Sequence, residues 1–217
     1  MLFVICAILA LMEEIEELIQ QVSKVKDGFK PIQAEAEKIF AQYSTHDCLL
    51  LAQRLYASEA HQARMLATLI WGKLAALSPE AMTILKKNVS RDDDWRVQEM
   101  LAMAFDAYCK AVGYEKSLPI IKEWLGDQNH NVRRAVSEGL RIWTGRDYFK
   151  QHPDVAIQLL SSLKDDDYEY VRKSAGNALR DVSRSYKDLV RAELETWDIS
   201  HKKIAYTYKL ASKFLLK

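Results

Sequence analysis

The chain is poor in the residues that break or turn a polypeptide, with 7 Gly and 4 Pro among 217 residues. That scarcity speaks against an all-β protein, whose many short strands need as many tight turns. Cysteine is sparse too. Cys6, Cys48 and Cys109 are odd in number and lack C-x-x-C spacing, which argues against a disulfide framework or a zinc knot and fits reduced thiols in the cytoplasm. The five histidines show no ligand spacing, so neither a metal nor any other cofactor is expected. No apolar run reaches the ~20 residues that a membrane-spanning helix needs. Met1–Leu11 is apolar throughout, but it is short and has neither a basic flank nor an A-x-A-like cleavage site. It is read either as an appended apolar turn or as sequence upstream of a start at Met12. No Ser/Gly-rich linker divides the rest, so residues 12–217 are read as a single domain and the protein as a monomer.

What is abundant is helix-forming residues: Ala, Leu, Lys, Glu and Gln dominate. The formal net charge of +1 conceals an asymmetry. Residues 1–107 hold 11 Lys+Arg and 15 Asp+Glu, a balance of −4; residues 108–217 hold 20 and 15, a balance of +5. The basic half also contains the clearest internal repeat. Val132-Arg133-Arg134-Ala135 through Leu140-Arg141 returns 39 residues later as Val171-Arg172-Lys173-Ser174 through Leu179-Arg180. Each copy follows an amphipathic segment that ends in an Asp-containing turn, at Gly126-Asp127 and at Lys164 to Asp167.

Two anchor series extend the repeat along the chain. Ala63, Val97, Val132, Val171 and Ile204 mark the second helix of successive pairs; Tyr56, Val89, Leu125, Leu163 and Trp197 mark the ends of the first helices. Both series drift together through intervals of roughly 33–39 residues, a variable period typical of HEAT-like repeats rather than of stricter repeat types. The expected fold is therefore an all-α, HEAT-like solenoid, a superhelix of antiparallel helix pairs with a concave groove. Met12–Tyr43 should form one or two capping helices, broken at Gly28 and Pro31.

A helix turns ~100° per residue, so the exposed face of each second helix can be read directly. With Val132 at the core, Val136, Gly139, Leu140 and Trp143 complete the buried stripe. Small residues recur at the level of Gly139, at Ala104, Ala178 and Ala211, where neighbouring helices should approach closely. The opposite face presents Arg134, Glu138 and Arg141. In the next repeat it presents Lys173, Asn177, Arg180 and Arg184, with Asp181 at its edge. Glu99 and Asp106 lie on this face upstream, Tyr206 and Lys213 downstream. A cationic row of this kind suits a nucleic-acid backbone, because Arg and Lys neutralise phosphates and release counterions. The same charges also fit ordinary i, i+4 pairing on a solvated face, as between Arg134 and Glu138. No helix-turn-helix, zinc-finger or RRM signature accompanies the row.

Asn131 to Arg141, with its VRR-x-x-SEG-x-R pattern, resembles a segment of the AlkC/AlkD superfamily of HEAT-like DNA alkylation-repair glycosylases. Leu163–Asp181, with Val171-Arg172-Lys173-Ser174-Ala175-Gly176-Asn177, does so too, and both look closer to the AlkC branch. The resemblance implies a double-stranded DNA partner and hydrolysis of the N-glycosidic bond of cationic alkylated purines without base flipping. Because such a base leaves neutral, carboxylates that stabilise an oxocarbenium-like sugar and position water would suffice. Glu138, Asp181 and Glu99 are the implied catalytic acids. Trp95, Trp143 and Tyr148 are the candidate rings for cation–π contact with the lesion. Arg133, Arg134, Arg141, Lys173, Asn177, Arg180, Arg184 and Lys213 are the candidate backbone-binding residues. One departure stands out: where the AlkC pattern has a Trp eight residues after its Glu, this chain has Arg146. Two alternatives therefore stay open, a non-catalytic relative that binds DNA through the same groove and a protein-interaction scaffold.

Overall fold

The computed structural model describes residues 2–143 and 145–215, with side chains placed for residues 13–141 and 145–215. Among the described residues all regular structure is helical, thirteen α-helices and two short 3-10 turns, with no strand. The fold is the all-α, HEAT-like one that the repeat predicts. The chain forms two compact units, residues 1–111 and 112–217.

The first unit begins with α1 (Leu2–Ser23), which takes in the apolar N-terminal stretch. The chain breaks where Gly28 adopts φ 79°, and α2 (Lys30–Gln42) starts on Pro31. A proline at this position loses no helical hydrogen bond, and its fixed φ favours the first turn. Two pairs follow, α3 (Thr45–Tyr56) with α4 (His61–Leu74), and α5 (Pro79–Lys87) with α6 (Trp95–Val112). Ser44 and Ser78 cap α3 and α5 by accepting the amides of Asp47 and Ala81. Between α5 and α6 runs a 3-10 turn, Val89–Arg91. A Cβ on Gly72 of α4 would lie 2.5 Å from Cα of Ala104 on α6. Only glycine lets the two second helices meet this closely.

The second unit contains α7 (Leu118–Leu125) with α8 (His130–Trp143), α10 (Pro153–Ser161) with α11 (Glu169–Val182), and α12 (Lys187–Glu195) with α13 (Lys202–Ala211). A five-residue helix, α9 (Asp147–Gln151), links the first two pairs, and a 3-10 turn, Ser212–Phe214, follows α13. α11 packs against α8 on one side and α13 on the other, while α10 and α12 pack together in the layer of first helices. A Cβ on Gly176 would come within 2.8 Å of Leu210 Cβ and 3.0 Å of Thr207 O, so α11 and α13 also meet at a glycine.

The anchors expected at the core are there. Ala63, Val97, Val132 and Val171 are fully buried and Ile204 nearly so, as are Ala104, Ala178 and Ala211. Cys48 and Cys109 are buried; the side chain of Cys6 lies outside the described residues. Among the described residues no helix is long and apolar enough to cross a membrane.

One polar device recurs at the turns. Asp92, Asp127, Asp166 and Asp198 each accept the amide two residues ahead with a carboxylate oxygen, an Asx turn that sets up the next helix. From six residues downstream a long side chain reaches back. Arg133 donates to the carbonyls of Asp127 and Gln128 and forks onto Asp166 at 2.6 and 2.7 Å. Arg172 donates to the carbonyls of Asp166 and Asp167. In the first unit Arg64 does the same with Ser58 O, Glu59 O and the carboxylate of Asp92. Gln98 fills this position after Asp92, donating to the carbonyls of Asp92 and Val89. These bonds satisfy turn carbonyls that helix ends leave without partners, and the Arg64–Asp92 and Arg133–Asp166 forks also link one helix pair to the next.

Candidate nucleic-acid interface

The exposed row of the second unit is a connected network rather than a set of independent charges. Arg141 on α8 bridges two acids. Its Nη1 donates to Glu138 Oε2 at 3.0 Å, and its Nη2 and Nε donate to Asp181 Oδ2 on α11 at 3.1 and 3.3 Å. Asp181 Oδ1 accepts from Arg180 Nε and Nη2 at 3.2 and 3.1 Å and lies 4.0 Å from Arg184 Nε. Arg180 also donates to Asn177 Oδ1 at 3.0 Å. Glu138 Oε1 accepts from Ser174 Oγ at 2.7 Å and lies 3.8 Å from Arg134. Ser174 in turn accepts from Ser137 Oγ at 2.7 Å, so a buried hydroxyl pair fixes the Glu138 carboxylate across the α8–α11 contact.

The network reads from the helical repeat. Glu138 and Arg141 stand one turn apart on α8, and Asn177, Arg180 and Asp181 do so on α11, so packing α8 against α11 brings their faces side by side. Burial alone would weaken the charge on Arg141. The hydrogen bonds and charges of Glu138 and Asp181 outweigh it and hold the guanidinium above its ordinary pKa. Arg180 and Arg184 are further held by the ring of Phe214, at 5.6 and 4.8 Å from its centroid. Lys173 and Lys213 are exposed along the same stretch. Four arginines (Arg134, Arg141, Arg180 and Arg184) thus surround two carboxylates and leave an excess of two positive charges.

Several expected site residues take other places. Arg133 lies in the turn stitch and not in the row of Arg141 and Arg180. Its side chain is 12% exposed and its carboxylate partner Asp166 7%, and all three guanidinium nitrogens are spent on the turn stitch. The reason is rotation: Arg133 sits ~100° from Arg134, toward the turn rather than the open face. Tyr148 belongs to a separate cluster, edge-on to Phe149 at 5.1 Å and tilted over His152 at 4.9 Å. Burial, followed by Glu115 and Asp154, raises the pKa of its hydroxyl. The side chain of Trp143 lies outside the described residues.

In the first unit, Trp95 opens α6 and its ring is 65% exposed, with the Arg96 guanidinium 4.8 Å from the centroid. Glu99 follows one turn later on the same flank, part-exposed. Sequence reasoning missed Ser137, Ser174 and Phe214. The two serines looked like ordinary second-helix positions, and at 37 residues apart they are not equivalent positions of the 39-residue repeat. Phe214 fell in the last turn, where the period gives no further register. Among the described residues no cluster of acids, His and Cys could hold a metal ion.

Comparison with known proteins agrees with this architecture. Residues 14–213 match the model of the DNA alkylation repair enzyme family, and the chain belongs to that family. It is similar over 94% of its length, at 45% identity and a TM-score of 0.91, to the crystal structure of AlkD2 from Streptococcus mutans, of which it covers 98%. A structure of smu.31 from S. mutans UA159 is similar at 44% identity and a TM-score of 0.88, covering 93% and 98% of the two chains. The uncharacterized protein YhaZ of Bacillus subtilis is 33% identical over 107 residues, 48% of this chain but only 30% of that protein's length.

The lean toward AlkC is corrected by these likenesses. The likeness to AlkD2 runs over 94% of the chain at 45% identity. The physical reason lies in the motif. In VRR-x-x-SEG-x-R, the first Arg stitches a turn, the Ser joins a hydroxyl pair and the Gly lies in the buried stripe. Those are demands of repeat stacking and do not separate branches.

Proposed function

We propose that the protein binds the backbone of double-stranded DNA through the cationic row of α8 and α11 and excises cationic alkylated purines by hydrolysing the N-glycosidic bond. The observation that carries the reading is the network centred on Arg141. It orders guanidinium groups from two adjacent helices on one exposed face, with positive charge in excess. Arginine forks held this way lose less conformational entropy when they meet phosphate.

The network also reassigns roles. Glu138 and Asp181 are held by the guanidinium groups of Arg141 and Arg180. We assign them to positioning the arginines. Trp95 and Glu99, one turn apart on α6, are the residues we propose for the chemistry. An exposed indole attracts a cationic base through its face. A carboxylate one turn away supports the oxocarbenium-like sugar and orients water.

The test is base release. Purified protein incubated with methylated duplex DNA should liberate 7-methylguanine or 3-methyladenine. Glu99→Gln should slow release by roughly 100-fold or more while duplex affinity stays within about two-fold. The engaged state of both carboxylates in the second unit favours one alternative, a relative that binds DNA without cutting it. Salt-sensitive duplex binding with no base released from either substrate would establish that alternative and overturn excision.

A further inference from the structure

The ring of Phe214 lies under two guanidinium groups at once. Arg180 reaches it at 5.6 Å and Arg184 at 4.8 Å, and both arginines also face Asp181. The ring comes from the 3-10 turn after α13, while the arginines come from α11 and the turn behind it. The Arg184 side chain is 66% exposed. A long, solvated arginine in that position ordinarily samples many rotamers, and fixing it costs entropy on binding. A ring face and a carboxylate on two sides of the same guanidinium restrict it before any ligand arrives.

We infer that Phe214 is a positioning residue for the grip on DNA, acting through Arg180 and Arg184 rather than by touching DNA itself. This rests on the DNA-binding reading above. The C-terminal turn then belongs to the binding face and does more than close the last repeat. The inference names the π face of the ring, not its bulk, as the active feature: an aliphatic side chain of similar size keeps the packing and loses the attraction.

The experiment is duplex binding by full-length protein across a salt series. It compares wild type, Phe214→Leu, Phe214→Tyr and the double variant Arg180→Ala/Arg184→Ala, with melting temperature recorded for each. Phe214→Leu should melt close to wild type and bind roughly ten-fold more weakly, consistent with two modest cation–π contacts. Its log–log salt slope should be shallower by about 0.9 for each phosphate no longer neutralised. Phe214→Tyr, which keeps the ring, should restore both affinity and slope. Wild-type binding by Phe214→Leu, alongside a weakened Arg180→Ala/Arg184→Ala variant, overturns the inference and leaves the DNA-binding reading standing. A double variant that binds as tightly as wild type overturns that reading, and the inference with it. A Phe214→Leu protein that fails to fold makes Phe214→Tyr decisive: a slope shallower than wild type there also overturns the proposal.

Discussion

Arg133 and Arg134 are adjacent in sequence and opposite in fate. Arg133 turns into the edge of the second unit, where it forks onto Asp166 and closes two turn carbonyls. Arg134 turns toward the part-exposed face, where Glu138 lies 3.8 Å away. The pair Arg172 and Lys173 repeats the contrast, with Arg172 stitched to its turn and Lys173 exposed. In the first unit Arg64 plays the part of Arg133. About 100° of helical rotation separates a charge that holds the repeats together from one that is available to a ligand. Counting basic residues in the C-terminal half therefore overstates the charge offered to DNA.

Substitution separates the two fates, and the largest effect should come from the edge. Arg133→Ala leaves the nearly buried Asp166 carboxylate without its fork, and such losses cost about 3–5 kcal/mol. Chemical denaturation should show that drop with the slope of the unfolding transition unchanged. A loss under 1 kcal/mol would mean that the stitch is ornamental. Gly72→Ala comes next. The new methyl would fall 2.5 Å from Ala104 Cα, which is backbone and cannot rotate aside. Overpacking of this kind costs about 1–3 kcal/mol, well beyond the gain of up to ~1 kcal/mol from replacing a helical glycine. A stabilised Gly72→Ala protein would show that α4 and α6 need no such close approach.

Arg134→Ala should show the opposite profile to Arg133→Ala. Melting should shift less than in Arg133→Ala, because Arg134 and Glu138 are part-exposed and 3.8 Å apart, whereas duplex affinity should fall several-fold. Equal affinity in the two proteins would erase the distinction between edge and face.

The smallest effect concerns His130, whose imidazole stacks on Tyr168 at 4.0 Å beside the Arg133 stitch. Burial, then the Arg133 charge, lowers its pKa against a weaker opposing pull from Asp166. The unfolded chain therefore binds the proton more readily. This contribution to stability is complete above the unfolded value of ~6.5 and is lost as pH falls through the folded one. His130→Phe keeps a stacked ring and removes the titration. Its melting temperature should decline less than that of wild type between pH 7.5 and 5.5, and parallel declines would refute the assignment.

Much of this was legible in the sequence. The buried anchors Val97, Val132 and Val171 were readable because apolar residues at a fixed helical phase have only one way to leave water. Gly28 and Pro31 marked the break between α1 and α2 for equally local reasons. The face followed from the same wheel, but Arg134, Glu138, Arg141, Asn177 and Arg180 are only part-exposed on it.

What the wheel could not give was partnership between helices. Arg141 and Asp181 are 40 residues apart and Glu138 and Ser174 are 36 apart. Those bonds depend on how far α11 slides along α8, which side-chain packing sets. The stitch, by contrast, left a signal that went unread. Asp127 and Arg133, Asp166 and Arg172, and Asp92 and Gln98 are each six residues apart, and an Asx turn with a side chain reaching back to its carbonyls accounts for that spacing. Arg133 looked like a phosphate ligand only because its charge was weighed without its rotation.

The central claim is that the exposed row, and not the basic half as a whole, meets DNA. Its most direct test is the salt dependence of duplex binding by Arg134→Ala/Arg184→Ala, set against wild type. Losing two phosphate contacts should flatten the log–log slope by roughly 1.8 with melting preserved. An unchanged slope would contradict the account and place the DNA, if it binds at all, on some other surface.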